Sequence, residues 1–250
     1  MDSPRTCLVI DARKLEMLML DGPALRLRMQ SQASLLFPLQ RLSRVHVIGK
    51  VDQGFEAFLH CAEQQIPVAF FTAQGKLRCQ LYFPVFENSL LSHWIDYVEF
   101  DSEARQQYQD WLSGQRLHVL SLMGCSAGNR ETRYQVVREK LHEICNKKLG
   151  IRYAQDAMEW LTGMLSVHLS QLIVEQGLCH QGRGKRRLLE DLTPIGELLL
   201  LHGLACQAAH KKVQVNGYSM SNLYQHESDQ IEYCVRRMLA QLISRLEAII

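Results

Sequence analysis

One short segment combines residue types that could act on phosphates. The segment CHQGRGKRRLLEDLTPI, residues 179–195, contains His180 and the adjacent carboxylates of Glu190 and Asp191. Carboxylate oxygens are the ligands that Mg²⁺ prefers, and an imidazole shifts the preference toward Mn²⁺. A divalent cation held in this way could neutralise phosphate charge and orient an attacking hydroxyl. The same residues are also compatible with a basic turn that leads into a helix.

Two groups of cations could bind a phosphate backbone. The first group lies between His180 and Glu190, and Gly182 and Gly184 within it predict a flexible cationic turn. Its cations are Arg183, Lys185, Arg186 and Arg187. The second group lies in residues 130–152 and includes Arg138, Lys147, Lys148 and Arg152. Each phosphate that such cations neutralise adds salt-sensitive, sequence-independent affinity. Ordinary solvated helix faces would account for both groups as well.

The composition describes a folded chain with a mild overall charge. Its 250 residues are 47% hydrophobic, enough to bury one large domain or two modest ones, and the formal net charge is +2. A charge this small does not by itself indicate a nucleic-acid ligand, so the local clusters carry that interpretation. The eight cysteines form no CxxC pair, and charges interrupt the apolar N-terminus. We therefore expect buried free thiols, no membrane anchor and a cytoplasmic location.

The first third of the chain has the periodicity of strands. Asp21-Gly22 separates LEMLML from ALRLRM, which predicts a hairpin. Residues 54–65 have helical spacing, and the apolar run IPVAFF that follows predicts a buried strand. After about residue 86 the period changes to that of helices, over residues 132–149, 156–177, from Pro194 onward, and near the C-terminus. Residues 156–177 are apolar on most faces, which predicts a central helix.

These patterns predict an α+β protein. A mostly-β domain with one helix occupies residues 1–86, a linker and helix occupy 87–128, and an all-helical domain occupies 129–250. Pro194 is well placed for the first turn of a helix, which would put Asp191 just before that helix.

Residues 37–81 carry a family resemblance. Their sequence, FPLQRLSRVHVIGKVDQGFEAFLHCAEQQIPVAFFTAQGKLRCQL, resembles the β domain of the CRISPR spacer integrase family, CRISPR-associated protein one. That family has the pattern PL-x-R(I/L)SR-V-x-V-x-G-x-V, then a helix with a cysteine in its core, then GIPV-x-F and a Gly-Lys turn. Weaker similarity continues in VREKLHEICNKKL, SQLIVEQGL and RLLEDLTPI.

The resemblance implies a function and a set of partners. It implies metal-dependent spacer integration into a CRISPR array, with strand transfer or endonuclease activity on double-stranded DNA. It also implies a homodimer, in which Arg41 and Arg44 of the β domain lie at the interface, and the small partner protein of the adaptation complex. Solubility of an edge strand is the rival explanation for the two arginines.

The resemblance is weakest at the implied metal site. The family holds Mg²⁺ or Mn²⁺ with a glutamate, a histidine and an aspartate, and its glutamate lies in an RG-x-EG stretch at the start of a helix. That stretch is not found in this sequence. His180 and Asp191 match the order of the histidine and aspartate. Alignment on Pro194 without a gap favours Glu190 as the acid, whereas the Asp-Leu dipeptide favours Asp191. Glu159 is the candidate for the third ligand, with Glu139 and Glu143 behind it.

Three hypotheses therefore remain open at the level of sequence. The first is an integrase in which His180, Asp191 or Glu190, and Glu159 act at the metal. The second is a catalytically inactive family member that serves as a DNA-binding or scaffolding subunit. The third is an unrelated two-domain interaction protein.

Overall fold

The described chain forms two compact units. The computed structural model describes residues 5–82, 95, 97–125, 130–178 and 183–247, with backbone alone at 130–132, 183 and 246–247. The first unit comprises the described part of residues 1–84 together with Val215–Gln225. The second comprises the described part of residues 85–214 and 226–250.

The first unit contains two sheets. Its strands are β1 (Thr6–Asp11), β2 (Leu15–Asp21), β3 (Ala24–Met29), β4 (Leu35–Pro38), β5 (Leu42–Ile48), β6 (Val68–Phe71) and β7 (Leu77–Leu81). One sheet has the order β1-β5-β6-β7, in which only β7 is antiparallel to its neighbour. The other is the antiparallel sheet β2-β3-β4.

The predicted hairpin and helix of this unit are confirmed. Asp21 pairs with Ala24, and the turn between them places Gly22 at a φ of 57°, a value that glycine adopts without strain. Helix α1 (Phe55–Glu63) buries Phe58 and Cys61 in the core that both sheets line. The run that predicted a buried strand contains β6, in which all four residues are buried.

The end of the chain returns to the β unit. Helix α6 (Gly217–Glu247) begins within the first unit, and its residues up to Gln225 belong there. The Gln225 side chain accepts a hydrogen bond of 3.3 Å from the Cys7 backbone N–H, and the Arg44 guanidinium lies 5.7 Å from the centre of the Tyr224 ring. Residues 215–225 are separated from β1 and β5 by most of the sequence, so local periodicity gives no sign of this packing.

The second unit is helical. Its helices are α2 (Ser102–Leu122), α3 (Arg130–Leu149), α4 (Ile151–Glu175), α5 (Arg183–His210) and the remainder of α6. Helix α4 is the predicted central helix, and it buries residues on most of its faces, including Trp160, Leu165 and Leu172. The chain is thus α+β, with a mostly-β part that carries one helix and a helical part after it.

Two predictions for the start of α5 are wrong. The helix begins at Arg183, so the cationic segment is helical and not a flexible turn, and Pro194 lies inside the helix and not in its first turn. The reason is burial: Leu188, Leu192 and Ile195 have helical spacing and are each at most 2% exposed, which favours a continuous helix. Proline has no amide hydrogen to donate within a helix. One residue before Pro194, the hydroxyl of Thr193 donates a hydrogen bond to the Leu189 carbonyl at 2.6 Å.

One described helix is long and apolar enough to cross a membrane, judged by length and composition alone. This helix covers Gly184–His210, and 56% of its most apolar stretch of 18 residues is buried within the protein. A core helix passes the same test, so this finding is weak evidence for a membrane span.

Gly54 precedes α1 at a point where a side chain has no room. Its φ is 77°, and an added Cβ would lie 2.6 Å from the Leu18 carbonyl oxygen. We expect Gly54→Ala to lower the free energy of unfolding by about 1–2 kcal/mol for the left-handed conformation and about 1–3 kcal/mol more for the overlap. Gly22→Ala is the matched control, since Gly22 also has a positive φ but nothing within 4 Å of the added atom. Urea unfolding measures both, and equal losses would contradict the steric argument.

Candidate nucleic-acid and metal site

Asp191 is held inside the helical unit by a tyrosine. The Tyr108 hydroxyl, on α2, donates to Asp191 Oδ2 at 2.7 Å, and Arg187 Nε lies 4.0 Å from the same oxygen. The Arg187 guanidinium also lies 5.1 Å from the centre of the Tyr108 ring. Burial, and then the Asp191 carboxylate, raise the pKa of Tyr108 well above its usual range. The hydroxyl therefore stays a proton donor to Asp191 at neutral pH.

Glu190 has different surroundings from its neighbour. It is exposed, and Arg186 Nε lies 2.8 Å from its Oε1 one helical turn away. Glu159 is also exposed, on α4. The two adjacent carboxylates therefore make separate contacts, Asp191 with Tyr108 and Arg187, and Glu190 with Arg186.

These acids do not provide a divalent-cation site on their own. Within the described ranges, no group of three histidine, cysteine or acidic side chains could hold a metal ion. His180 lies outside the described residues, so its prediction as a ligand stays a prediction. Within the described residues, Asp191, Glu190 and Glu159 therefore do not form a metal-binding group by themselves.

The predicted DNA-binding cations differ in exposure and in ion pairing. Lys147, Lys148 and Arg152 are exposed, and none has an ion pair with a described acid. They flank Gly150, which joins α3 to α4, and we call these three residues the hairpin cations. Arg186 is paired with Glu190, and Lys185 is half-buried. The side chain of Arg183 is outside the described set.

Arg138 belongs to a polar cluster that the sequence did not reveal. Its guanidinium lies 3.4 Å from the Glu197 carboxylate on α5, which also accepts a hydrogen bond of 3.0 Å from Thr162. Nearby, the Tyr134 hydroxyl donates to the Pro194 carbonyl. The one available signal was Glu197 itself, a lone carboxylate within the apolar run PIGELLLLHG. Buried carboxylates have a partner in most proteins, but the sequence does not say which.

The two arginines predicted at a dimer interface differ in exposure. Arg41 is exposed, whereas Arg44 is only 4% exposed and packs on Tyr224 of the same chain. The interface itself stays a prediction, and Arg41 is the residue with surface available for it.

The fold defines a class of protein: a two-part chain with a strand-rich beginning and a helical remainder, which here carries exposed cations. Among solved structures, a Cas1 protein from Thermotoga maritima matches with a TM-score of 0.69 and 13% identity, over 97% of this chain and 95% of that one. A casposase bound to integration product matches with a TM-score of 0.65 and 14% identity, over 96% and 91%. A TtCas1-DNA complex matches with a TM-score of 0.51 and 10% identity, over 95% and 96%.

The family follows from the sequence match. The family described as CRISPR associated protein Cas1 matches residues 11–161. The chain therefore belongs to the Cas1 family, and the resemblance found in residues 37–81 is confirmed. None of the curated protein sequences matches this chain.

The Tyr108–Asp191 contact generates a prediction about stability. We expect Tyr108→Phe to lower the free energy of unfolding by about 1.5–3 kcal/mol, because it removes a hydrogen bond to a partly buried carboxylate. Tyr233→Phe, at an exposed tyrosine of α6, should change the free energy by less than about 0.5 kcal/mol. Urea unfolding at neutral pH measures both variants. Similar losses of unfolding free energy would mean that the hydrogen bond from the Tyr108 hydroxyl to Asp191 contributes little to stability.

Proposed function

We propose that this protein is a DNA-binding subunit of CRISPR adaptation. One observation carries the proposal: in a Cas1-family chain, the hairpin cations are exposed and without an ion pair to a described acid. Cations in this state are free to neutralise phosphates and release counterions. The solved relatives include one in complex with DNA and one bound to an integration product, which supports the same class of ligand.

The residues around the hairpin cations suit a nucleic-acid strand. Tyr153 is 61% exposed and follows Arg152 directly. An exposed aromatic ring among cations offers a base a stacking surface beside contacts for its phosphates. Among the predicted cations, we therefore assign Lys147, Lys148 and Arg152 the main contribution to DNA binding, and Arg138 and Arg186 a smaller one.

The partners and location of the family extend the proposal. Double-stranded DNA, such as a spacer precursor or the CRISPR array, is the proposed ligand. A second copy of the chain and the small partner protein of the adaptation complex are the proposed protein partners. The described cysteines are all free, as a reducing cytoplasm would keep them.

The start of α4 supports a subunit without its own metal. The family pattern puts a glutamate two residues after a glycine at the start of a helix. Helix α4 starts after Gly150, and the second residue after that glycine is Arg152. A guanidinium has no lone pair to offer a divalent cation, so Arg152 at this position would serve phosphate binding instead.

The affinity of the hairpin cations for DNA should fall as the salt concentration rises. Replacing the three hairpin cations with alanine should weaken duplex binding and make the slope of log K against log salt shallower by about 2–3 units, at about 0.9 per lost phosphate contact. Fluorescence anisotropy from about 50 to 300 mM KCl, a range over which counterion release changes affinity strongly, measures both quantities.

The control variant removes the same number of positive charges as the hairpin-cation variant. Arg13, Arg26 and Arg28 each form an ion pair with an acid of the β unit, Asp11, Asp21 and Glu16. Replacing these three with alanine should leave the salt slope near the wild-type value. Equal slopes for both triple variants would show that total charge, not the hairpin cations, governs binding.

A second candidate function is metal-dependent strand transfer or endonuclease activity. The order of His180, Glu190 and Asp191 along the chain favours it, with Mg²⁺ or Mn²⁺ as cofactor and Glu159 as the further acid. Because the described acids do not assemble into a metal site, this candidate depends on His180 and the residues beside it.

Conservative substitutions test the second candidate. If it is correct, Asp191→Asn or Glu190→Gln should reduce Mn²⁺-dependent or Mg²⁺-dependent strand transfer by at least about a hundredfold, while duplex binding persists. The amide introduced by Asp191→Asn keeps an acceptor for the Tyr108 hydroxyl, so the fold should survive. The exposed Asp110→Asn on α2 is the control. Activity that neither substitution changes, or no activity with either metal, would leave the DNA-binding subunit as the function.

A further inference from the structure

Two cysteines and a histidine lie on the packed helices α3 and α5. Cys206 of α5 is exposed, and its Sγ lies 3.7 Å from Nε2 of His202, one turn earlier on the same helix. Cys145 of α3 is buried, and its Sγ lies 3.9 Å from the Leu201 carbonyl oxygen of α5. The two helices therefore bring together an accessible thiol beside an imidazole and a buried thiol. We call Cys145 and Cys206 the α3–α5 thiol pair.

Cys206 has the surroundings of a reactive thiol. A thiol becomes a nucleophile when it loses its proton, and an imidazole in contact with the sulfur can accept that proton. Because Cys206 is exposed, a small oxidant can reach its sulfur from solvent. Cys79 of β7 offers a comparison, since it is also exposed but has no hydrogen-bond partner among the described residues.

Cys145 has the opposite surroundings. Burial, and then the charge of Cys206, raise the pKa of Cys145 to about 11, so this thiol is protonated at neutral pH and reacts poorly with an oxidant. An electrostatic effect of one thiol on the other requires that the two groups lie close together. Cys145 is thus placed to react with an oxidised Cys206 and not with the oxidant itself.

The packing of α3 on α5 suits a covalent link between them. The axes of packed helices lie about 8–10 Å apart, which brings facing Cα atoms near the separation of about 4.4–6.8 Å that a disulfide spans. Both helices also pack against α4, so a link between them would join elements that the core already holds together.

We propose that Cys206 is a site of reversible oxidation by hydrogen peroxide, with Cys145 as its resolving cysteine. The product is a disulfide between α3 and α5. This activity goes beyond the proposed function and does not depend on DNA binding. Cytosolic disulfides are usually transient and either catalytic or redox-sensing, and the α3–α5 thiol pair belongs to the redox-sensing kind.

Two steps form the disulfide. In the first, His202 accepts the Cys206 proton, the thiolate attacks one peroxide oxygen, and the O–O bond breaks. The departing hydroxide takes the proton from the imidazolium and becomes water, and Cys206 becomes a sulfenic acid by losing two electrons to the peroxide. In the second, the Cys145 sulfur attacks the Cys206 sulfur, the S–O bond breaks, and the hydroxyl group leaves as water with the Cys145 proton. A thiol reductant reverses the reaction by thiol–disulfide exchange.

Peptide mapping by mass spectrometry tests this proposal on the full chain treated with hydrogen peroxide. Wild type should form a disulfide between Cys145 and Cys206 that dithiothreitol reduces. Cys145→Ala should form no such disulfide and should accumulate a sulfenic acid at Cys206, which dimedone traps. Cys206→Ser should form neither product. The wild-type map requires no substitution, so the test does not depend on how well the variants fold.

The rate of alkylation by iodoacetamide tests the part of His202. At pH 7, His202→Gln should slow the alkylation of Cys206 about tenfold, because loss of a general base typically costs at least that much. The alkylation of Cys79 in the same sample should not change. His210→Gln, at an exposed histidine of the same helix, is the matched control and should leave the rate at Cys206 unchanged.

Three results would overturn the proposal. The first is oxidation of Cys206 in wild type that is no faster than oxidation of Cys79. The second is a disulfide that joins Cys206 to a cysteine other than Cys145. The third is an alkylation rate at Cys206 that His202→Gln does not change. None of these measurements uses DNA, so a failure here is distinct from a failure of the proposed function.

Discussion

The structure depends on the burial of one helix that is apolar on most faces. Helix α4 has apolar residues on most of its faces, so neighbouring helices must cover it, and α3 and α5 both pack against it. His168 of α4, 1% exposed, lies 3.3 Å from Glu232 of α6. Covering α4 sets the positions of α3 and α5, and with them the polar groups that these helices carry.

That constraint explains the surroundings of the candidate site residues. Because α5 is continuous from Arg183 through Pro194, Asp191 and Glu190 project from neighbouring positions of one helix in different directions. Asp191 contacts Tyr108 inside the unit, and Glu190 pairs with Arg186 at the surface. In contrast, the short connection between α3 and α4 leaves the hairpin cations exposed. The same packing thus pairs some polar side chains and leaves others available to a ligand.

The hairpin cations belong to one helical pair, α3 and α4. In the proposed function, phosphate binding by the hairpin cations would not depend on base sequence. A mild net charge of +2 is compatible with this arrangement, because phosphate binding depends on a local field and not on the total. The polar cluster of Arg138, Thr162 and Glu197 links α3, α4 and α5.

The sequence by itself determined the class of fold, the hairpin at Asp21-Gly22, the helix after Gly54, the central helix and the family. These features depend on local periodicity, turn residues and a motif, all of which are contiguous in the chain. Only the tertiary structure decided that Pro194 lies inside a helix, that residues 215–225 pack with the β unit, and which cations are paired. The physical reason is that burial and ion pairing join residues far apart in sequence, and a local pattern carries no information about the partner.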